Sequence, residues 1–341
     1  MVEIDGSWGE GGGQIVRMSV ALSALTGRAV RIVKIRAGRP KPGLAAQHLT
    51  SIKSVARLCN ARVEGLRIGS QTVSFQPREL RGGRFNFDIG TAGSVTLVFQ
   101  ACLLPALHAP TKTVLTVTGG TDVRWSPPID YFRYVFLPLI GKMGVFARIE
   151  KVRRGYYPRG GGRVVLHVEP VTGLDPLALG ERGKILRIGG IAHTGNLPSH
   201  IADRMKKGAE EKLAEVASTG IESKTFSGEE AFGRGGGIVV WAETEETILG
   251  GGALAERGLR AEKVGQSASE ELLKEVNSGA TLDVHLSDQI LPYLALAKGR
   301  SYFLTRELSK HTETNLWLIE HFFDVKFKVG TLGNLHKIMV G

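Results

Sequence analysis

The chain has 341 residues, 42% of them apolar and 23% charged, a globular composition with material for a sizeable core. Its net charge is +11, with the basic excess concentrated in residues 1–150 and a small acidic excess in residues 183–277. No apolar run approaches the ~20 residues that cross a bilayer, no secretory signal opens the chain, and Cys59 and Cys102 are too few for a disulfide framework. The sequence therefore reads as cytoplasmic, without a membrane partner. The basic half suits a polyanion, although a solvated basic surface has the same composition.

The first feature is a glycine-rich loop, Asp5-Gly6-Ser7-Trp8-Gly9-Glu10-Gly11-Gly12-Gly13-Gln14, leading into an amphipathic helix over Ile15–Leu25. Glycines before a helix let backbone N–H groups approach a phosphate at the positive end of the helix dipole. The loop lacks the Gly-Lys-Ser/Thr of a Walker A motif. Its carboxylate, Glu10, suits a divalent cation, and Arg17 suits a phosphate. A glycine hairpin with a surface ion pair would look the same. With a helix beginning near Gly9, the two side chains stand two turns apart.

A strand is expected over Val30–Ile35, then a proline-stiffened turn, Arg36-Ala37-Gly38-Arg39-Pro40-Lys41-Pro42-Gly43, holding three cations. Gln47–Leu58 reads as a helix, and Val73–Gln76 and Val114–Val117 as strands. The loop Gly119–Tyr131, with Pro127 and Pro128, has the polar, rigid character of a pocket wall. A glycine run recurs at residues 9–13, 160–162 and 233–237, which fits either a repeated unit or chance among 45 glycines. The change of charge sign marks about 182–277 as an insertion, ending in a helix over Ser267–Val276. Beyond it come a helix over Gln289–Lys298 with Pro292 near its start, a strand over Tyr302–Thr305, and His311. A neutral histidine is a competent nitrogen nucleophile toward phosphorus, although a lone histidine is more often structural.

Together these segments resemble the RNA 3′-terminal-phosphate cyclase family. The matching motifs run in family order: Asp-Gly-x-x-Gly-Glu-Gly-Gly-Gly-Gln-Ile-x-Arg at 5–17, Arg-Ala-Gly-Arg-x-Lys-Pro-Gly-Leu-x-x-Gln-His at 36–48, Gly-Gly-Thr-Asp at 119–122, Tyr-Pro-x-Gly-Gly-Gly at 157–162, Asp-Gln-Ile-Leu-Pro at 288–292 and His-x-x-Thr-Asn at 311–315. The resemblance implies an α/β (α+β) fold of repeated βαβαββ units similar to enolpyruvyl-shikimate-phosphate synthase. The core would be 1–181 and 278–341, with a smaller α/β domain inserted at 182–277. It also implies ATP-dependent conversion of an RNA 3′-terminal phosphate to a 2′,3′-cyclic phosphate through a histidine-bound AMP. His311 would be the nucleophile, and Glu10 the ligand of a divalent metal, Mg or Mn. Arg17, Arg39, Gln47, Pro127, Asp288 and Gln289 would bind nucleotide or phosphate. His285 stands where the family carries an aromatic partner for the base. The rival readings are a non-catalytic cyclase-like processing factor, for which His311 has no use, an enolpyruvyl transferase, and a plain RNA-binding protein.

Overall fold

The computed structural model describes residues 1–341. Strand β1 (Val2–Asp5), helix α1 (Gly13–Thr26), β2 (Val30–Val33), α2 (Ala46–Leu58), β3 (Arg62–Glu64) and β4 (Val73–Gln76) form a first βαβαββ unit. Its sheet runs β1-β2-β4-β3, with β1 parallel to β2 and β4 antiparallel to both neighbours. Alternation does the sorting: Val30 and Ile32 of β2 are buried, and Arg31 between them faces water.

The second unit repeats this order with β5 (Gly83–Asp88), α3 (Val95–Leu107), β6 (Thr113–Gly119), a helical stretch, β7 (Ala147–Gly155) and β8 (Gly162–Val168). The helical stretch comprises α4 (Ile129–Tyr131), a π turn (Phe132–Phe136) and α5 (Leu137–Gly141). Again the first two strands are parallel, and the last strand slots antiparallel between its neighbours.

A four-stranded sheet then intervenes: β9 (Ile185–Gly195), β10 (Thr219–Phe226), β12 (Gly235–Thr244) and β13 (Ile248–Leu254), ordered β10-β9-β12-β13. Helices α6 (Ser199–Leu213) and α7 (Ala261–Ser278) pack on it around 16 buried apolar residues, separate from the 63-residue cluster of the rest. The short strand β11 (Ala231–Phe232) leaves this sheet to pair with β7.

The chain closes with α8 (Val284–Leu294), β14 (Ser301–Thr305), α9 (Lys310–Phe322), β15 (Lys328–Leu332) and β16 (Leu335–Val340). Residues 174–179 run parallel to β14, with Leu179 N donating to Tyr302 O at 2.8 Å. They supply the first strand of a third unit, cut off from its first helix by the intervening sheet.

Buried charge crosses the seam between the two cores. Arg154 of β7 donates to Asp122 at 3.2 Å and to Asp130 at 2.7 Å, and all three side chains are buried. His193 of β9 lies 3.4 Å from Asp122 and 3.1 Å from the Tyr156 hydroxyl. Tyr156 lies so close over Gly235 that any Cβ there would collide with its ring. Two carboxylates and a histidine have the makings of a metal site, but the Arg154 guanidinium already stands between the carboxylates as their cation.

Several sequence expectations need correction. The strand expected to Ile35 stops at Val33, because Lys34 and Arg36 adopt φ of 50° and 52°, in the left-handed region. The helix expected over Gln289–Lys298 starts five residues earlier, where Asp283 caps it by accepting from His285 N and Leu286 N. Pro292 lies in its last turn. The glycine runs do not mark the repeat: the first enters a helix, the others enter strands. The position equivalent to residues 9–13 is Gly90–Gly93, before α3. No helix is long and apolar enough to cross a membrane.

Candidate active site

The glycine loop and α9 hold each other. Gly9 adopts φ of 58°, and a Cβ there would strike the Thr314 hydroxyl. That hydroxyl accepts from Glu10 N at 3.0 Å, and Trp8 stacks on Trp317 with ring centroids 4.4 Å apart. Helix α1 begins at Gly13, not near Gly9, so Glu10 belongs to the loop and Arg17 lies one turn into the helix. The loop end of α1 therefore sits against the start of α9, which carries His311.

Gln14 joins the two. Its Nε2 donates to Asp288 Oδ2 at 3.0 Å and to His311 O at 3.3 Å, which fixes its oxygen toward His311 Nδ1 at 2.6 Å. An amide oxygen only accepts, so His311 carries its proton on Nδ1. Its Nε2 is left with a lone pair and no hydrogen bond within the chain. Burial, reinforced by Arg17, His285 and Arg39, lowers the His311 pKa below the usual 6.5 and keeps the ring neutral at pH 7. Burial raises Asp288 to about 7, against the opposing pull of His285 and Arg17. Asn315, one turn beyond His311, donates to Asp288 O at 2.7 Å.

These groups open onto a cleft of about 570 Å³. Gln14 and Arg17 of α1 line it, with His285, Asp288 and Gln289 of α8 and His311 and Asn315 of α9. Val123–Pro128 forms a second wall, in which Trp125 adopts φ of 60° and is 93% exposed. The third wall comes from the intervening sheet: Gly252–Leu254 of β13, Glu256, and Glu271 of α7. Arg17 is pushed down to about 10 by burial, partly offset by Asp288. It remains a cation at neutral pH.

Of the residues singled out in the sequence, Arg17, Pro127, His285, Asp288, Gln289 and His311 meet at this cleft. Glu10, Arg39 and Gln47 do not line it. Arg39 pairs with the Glu10 carboxylate and donates to Glu10 O at 3.0 Å. The other Glu10 oxygen, Oε2, is buried without a hydrogen-bond partner. Gln47 accepts from Ser94 N at 3.3 Å, at the start of α3, and Gln289 accepts from Gln100 at 2.7 Å. His48 is buried, accepts from Ala45 N at 3.0 Å, and is driven down to about 3 by burial and by Arg17 and Arg36. Sequence reasoning missed Gln14 as a site residue, although it lies within the first motif. It missed Glu271 altogether.

Fold and cleft define an α/β enzyme of repeated βαβαββ units, with a neutral histidine beside cationic and amide side chains. The chain belongs to the RNA 3′-terminal phosphate cyclase family, whose pattern matches residues 8–329. It is 52% identical to the RNA 3′-terminal phosphate cyclase of Nitrosospira multiformis, over 99% of this chain and 96% of that one. It is 48% identical to the one from Pyrococcus furiosus, over 100% and 98% of the two chains. Likeness to the solved EPSP synthase from Acinetobacter baumannii is remote, at 14% identity over 66% of this chain and 56% of that one, with a TM-score of 0.26.

Proposed function

We propose that this chain converts the 3′-terminal phosphate of RNA to a 2′,3′-cyclic phosphate, using ATP and a covalent histidine–AMP. The observation that carries the reading is the 2.6 Å hydrogen bond from His311 Nδ1 to Gln14, which leaves Nε2 neutral and free at the cleft. A phosphate monoester is a poor electrophile, and AMP supplies the leaving group it lacks.

In the first step His311 Nε2 attacks the α-phosphorus of ATP. An N–P bond forms, the P–O bond to the β-phosphate breaks, and pyrophosphate leaves. Gln14 holds the ring edge-on through Nδ1 and stabilises the positive charge the ring gains. In the second step an oxygen of the RNA 3′-phosphate attacks the same phosphorus, the N–P bond breaks, and His311 returns neutral. In the third the 2′-hydroxyl attacks the terminal phosphorus, gives up its proton and expels AMP. The ribose holds that hydroxyl next to the phosphate at high effective concentration. On this reading Arg17, near the N-terminus of α1, and Arg39 would neutralise phosphate charge, and Gln47 would donate a hydrogen bond to a phosphate. On this reading the bond-making residues stay on 1–181 and 278–341.

The unpartnered Glu10 Oε2 is a hard oxygen donor of the kind a divalent cation takes, while the other oxygen of the same carboxylate pairs with Arg39. Glu10 would hold it, and when bound it would screen the triphosphate and steady the departing pyrophosphate.

The test is incubation with ATP labelled at the α-phosphate, with divalent metal and without RNA. The expected result is labelled AMP retained on the protein, released by acid and stable in mild alkali, as a phosphoramidate requires. A chain that retains no label overturns the mechanism. Label that survives acid points to an ester on Ser309, Thr312 or Thr314 instead.

A further inference from the structure

His285 is the odd member of the cleft. The family resemblance implies an aromatic partner for the base at this position, and an imidazole is a smaller ring than a phenol. The structure supplies the ring with an anchor from the far side of the seam. His285 Nε2 meets Glu271 Oε1 at 2.8 Å, and Glu271 belongs to α7, packed on the intervening sheet. The other oxygen, Oε2, accepts from Gly252 N of β13 at 2.7 Å, so the carboxylate is fixed at both ends. Both residues line the cleft. Tyr131 and His285 meet in a T-shaped pair, with ring centroids 6.4 Å apart and planes at 87°.

We infer that the intervening sheet and its helices are part of the nucleotide site: Glu271 is a positioning residue that fixes the His285 ring as the surface on which the base rests. This rests on the ATP-dependent reading above and adds a role for a region that reading leaves idle. A pinned imidazole keeps its face free for stacking, and as a cation it favours an electron-rich purine. The surroundings favour that cation. Glu271 and Glu275 lie on α7, Asp283 and Asp288 on the ring's own helix, and Tyr131 on α4, with His311 the nearby group of opposite tendency. The Glu271 hydrogen bond leads in lifting His285 to about 9, against the opposing effect of burial.

Four proteins test it: wild type, Glu271→Gln, His285→Phe and the double variant. Glutamine keeps an oxygen for Gly252 N and removes only the charge, and phenylalanine stacks without needing an anchor. The readouts are the ATP dependence of AMP uptake and, without ATP, the NMR titration of the His285 ring. Glu271→Gln is expected to raise KM for ATP about threefold to fivefold with the maximum rate little changed, the size suited to a part-exposed pair. It should move the His285 midpoint down toward 6.5. In the His285→Phe background the same change should leave KM where it is. Equal rises in both backgrounds would mean Glu271 only braces the fold and would overturn the inference, as would an unmoved His285 midpoint. A wild type that takes up no AMP would remove the nucleotide site and this role with it. The titration, which needs no ATP, separates that failure from a failure of the pair.

Discussion

Two polar clusters lie within one chain and are built to opposite ends. At the seam, Asp122, Asp130, Arg154, His193 and Tyr156 are all buried, each carboxylate has a cation or hydroxyl against it, and the one side-chain atom without a partner is a donor, Arg154 Nε. At the cleft, Gln14, Asp288, His311 and Asn315 are bonded to one another, but the cluster stops short of closure. His311 Nε2, Glu10 Oε2 and Asn315 Oδ1 have no partner in the chain. The first cluster spends its hydrogen bonds on joining two cores. The second orients His311, the proposed nucleophile, and leaves acceptors without a partner in the chain. Buried polarity alone does not mark a site; incomplete buried polarity beside a cleft does.

The comparison breaks first at His311. His311→Asn is expected to lower AMP uptake by at least about 10⁴-fold, because no other group replaces the nucleophile. Lys310→Ala, whose amine is the one neighbour able to form the same acid-labile bond, should lose less than about tenfold. Next come two matched changes. Arg154→Met strands two buried carboxylates and should cost about 3–5 kcal/mol in chemical unfolding, while folded molecules still take up AMP. Gln14→Met should do the reverse, slowing AMP uptake about 10- to 100-fold with little loss of stability, since the ring loses its orientation and tautomer. If both variants lose stability alike, the two clusters are not different in kind. Glu10→Gln should shift the metal titration of AMP uptake to about tenfold higher concentration without changing the fold.

The smallest effect is in pH. His311 must be neutral to attack, and its pKa lies below 6.5, so AMP uptake should rise with pH through a midpoint under that value and level off above it. Arg39 helps to hold the midpoint down. Arg39→Ala should therefore move it up, and a downward move would contradict the charge assignment.

Much of this was legible in the sequence, for reasons that differ from place to place. Arg17, Asp288 and His311 each stand in a short local motif and line one cleft, but of their helices only α1 follows from apolar spacing. The change of charge sign falls close to the ends of the intervening sheet and its helices, Ile185 and Ser278. Glu271 was not legible, because its partner lies fourteen residues on, in the next helix, and no local pattern signals that the two helices bring these side chains together. The Asp122–Arg154 network is hidden in the same way. Gly-rich runs misled, since a glycine kept for a positive φ and one kept for close approach look alike in sequence. The early end of β2 was missed because Lys34 and Arg36 take a backbone conformation their side chains do not advertise.

The interrupted third unit has a consequence for the order in which the protein is made. Residues 174–179 leave the ribosome long before β14, the strand they pair with. The Thr281 hydroxyl donates to Leu179 O at 3.3 Å, bringing together residues 102 positions apart. Were the intervening segment a loose chain, that closure would carry an entropy cost growing with the logarithm of its length. Folded, with its own 16-residue core, it delivers its two ends side by side and leaves little loop to close. The first two units can assemble as they emerge, the intervening sheet next, and the third unit only when the C-terminal strands arrive. Because α8 and α9 belong to that last unit, His311, the proposed nucleophile, is among the final pieces to be installed, and a chain truncated before β16 carries an unfinished third unit.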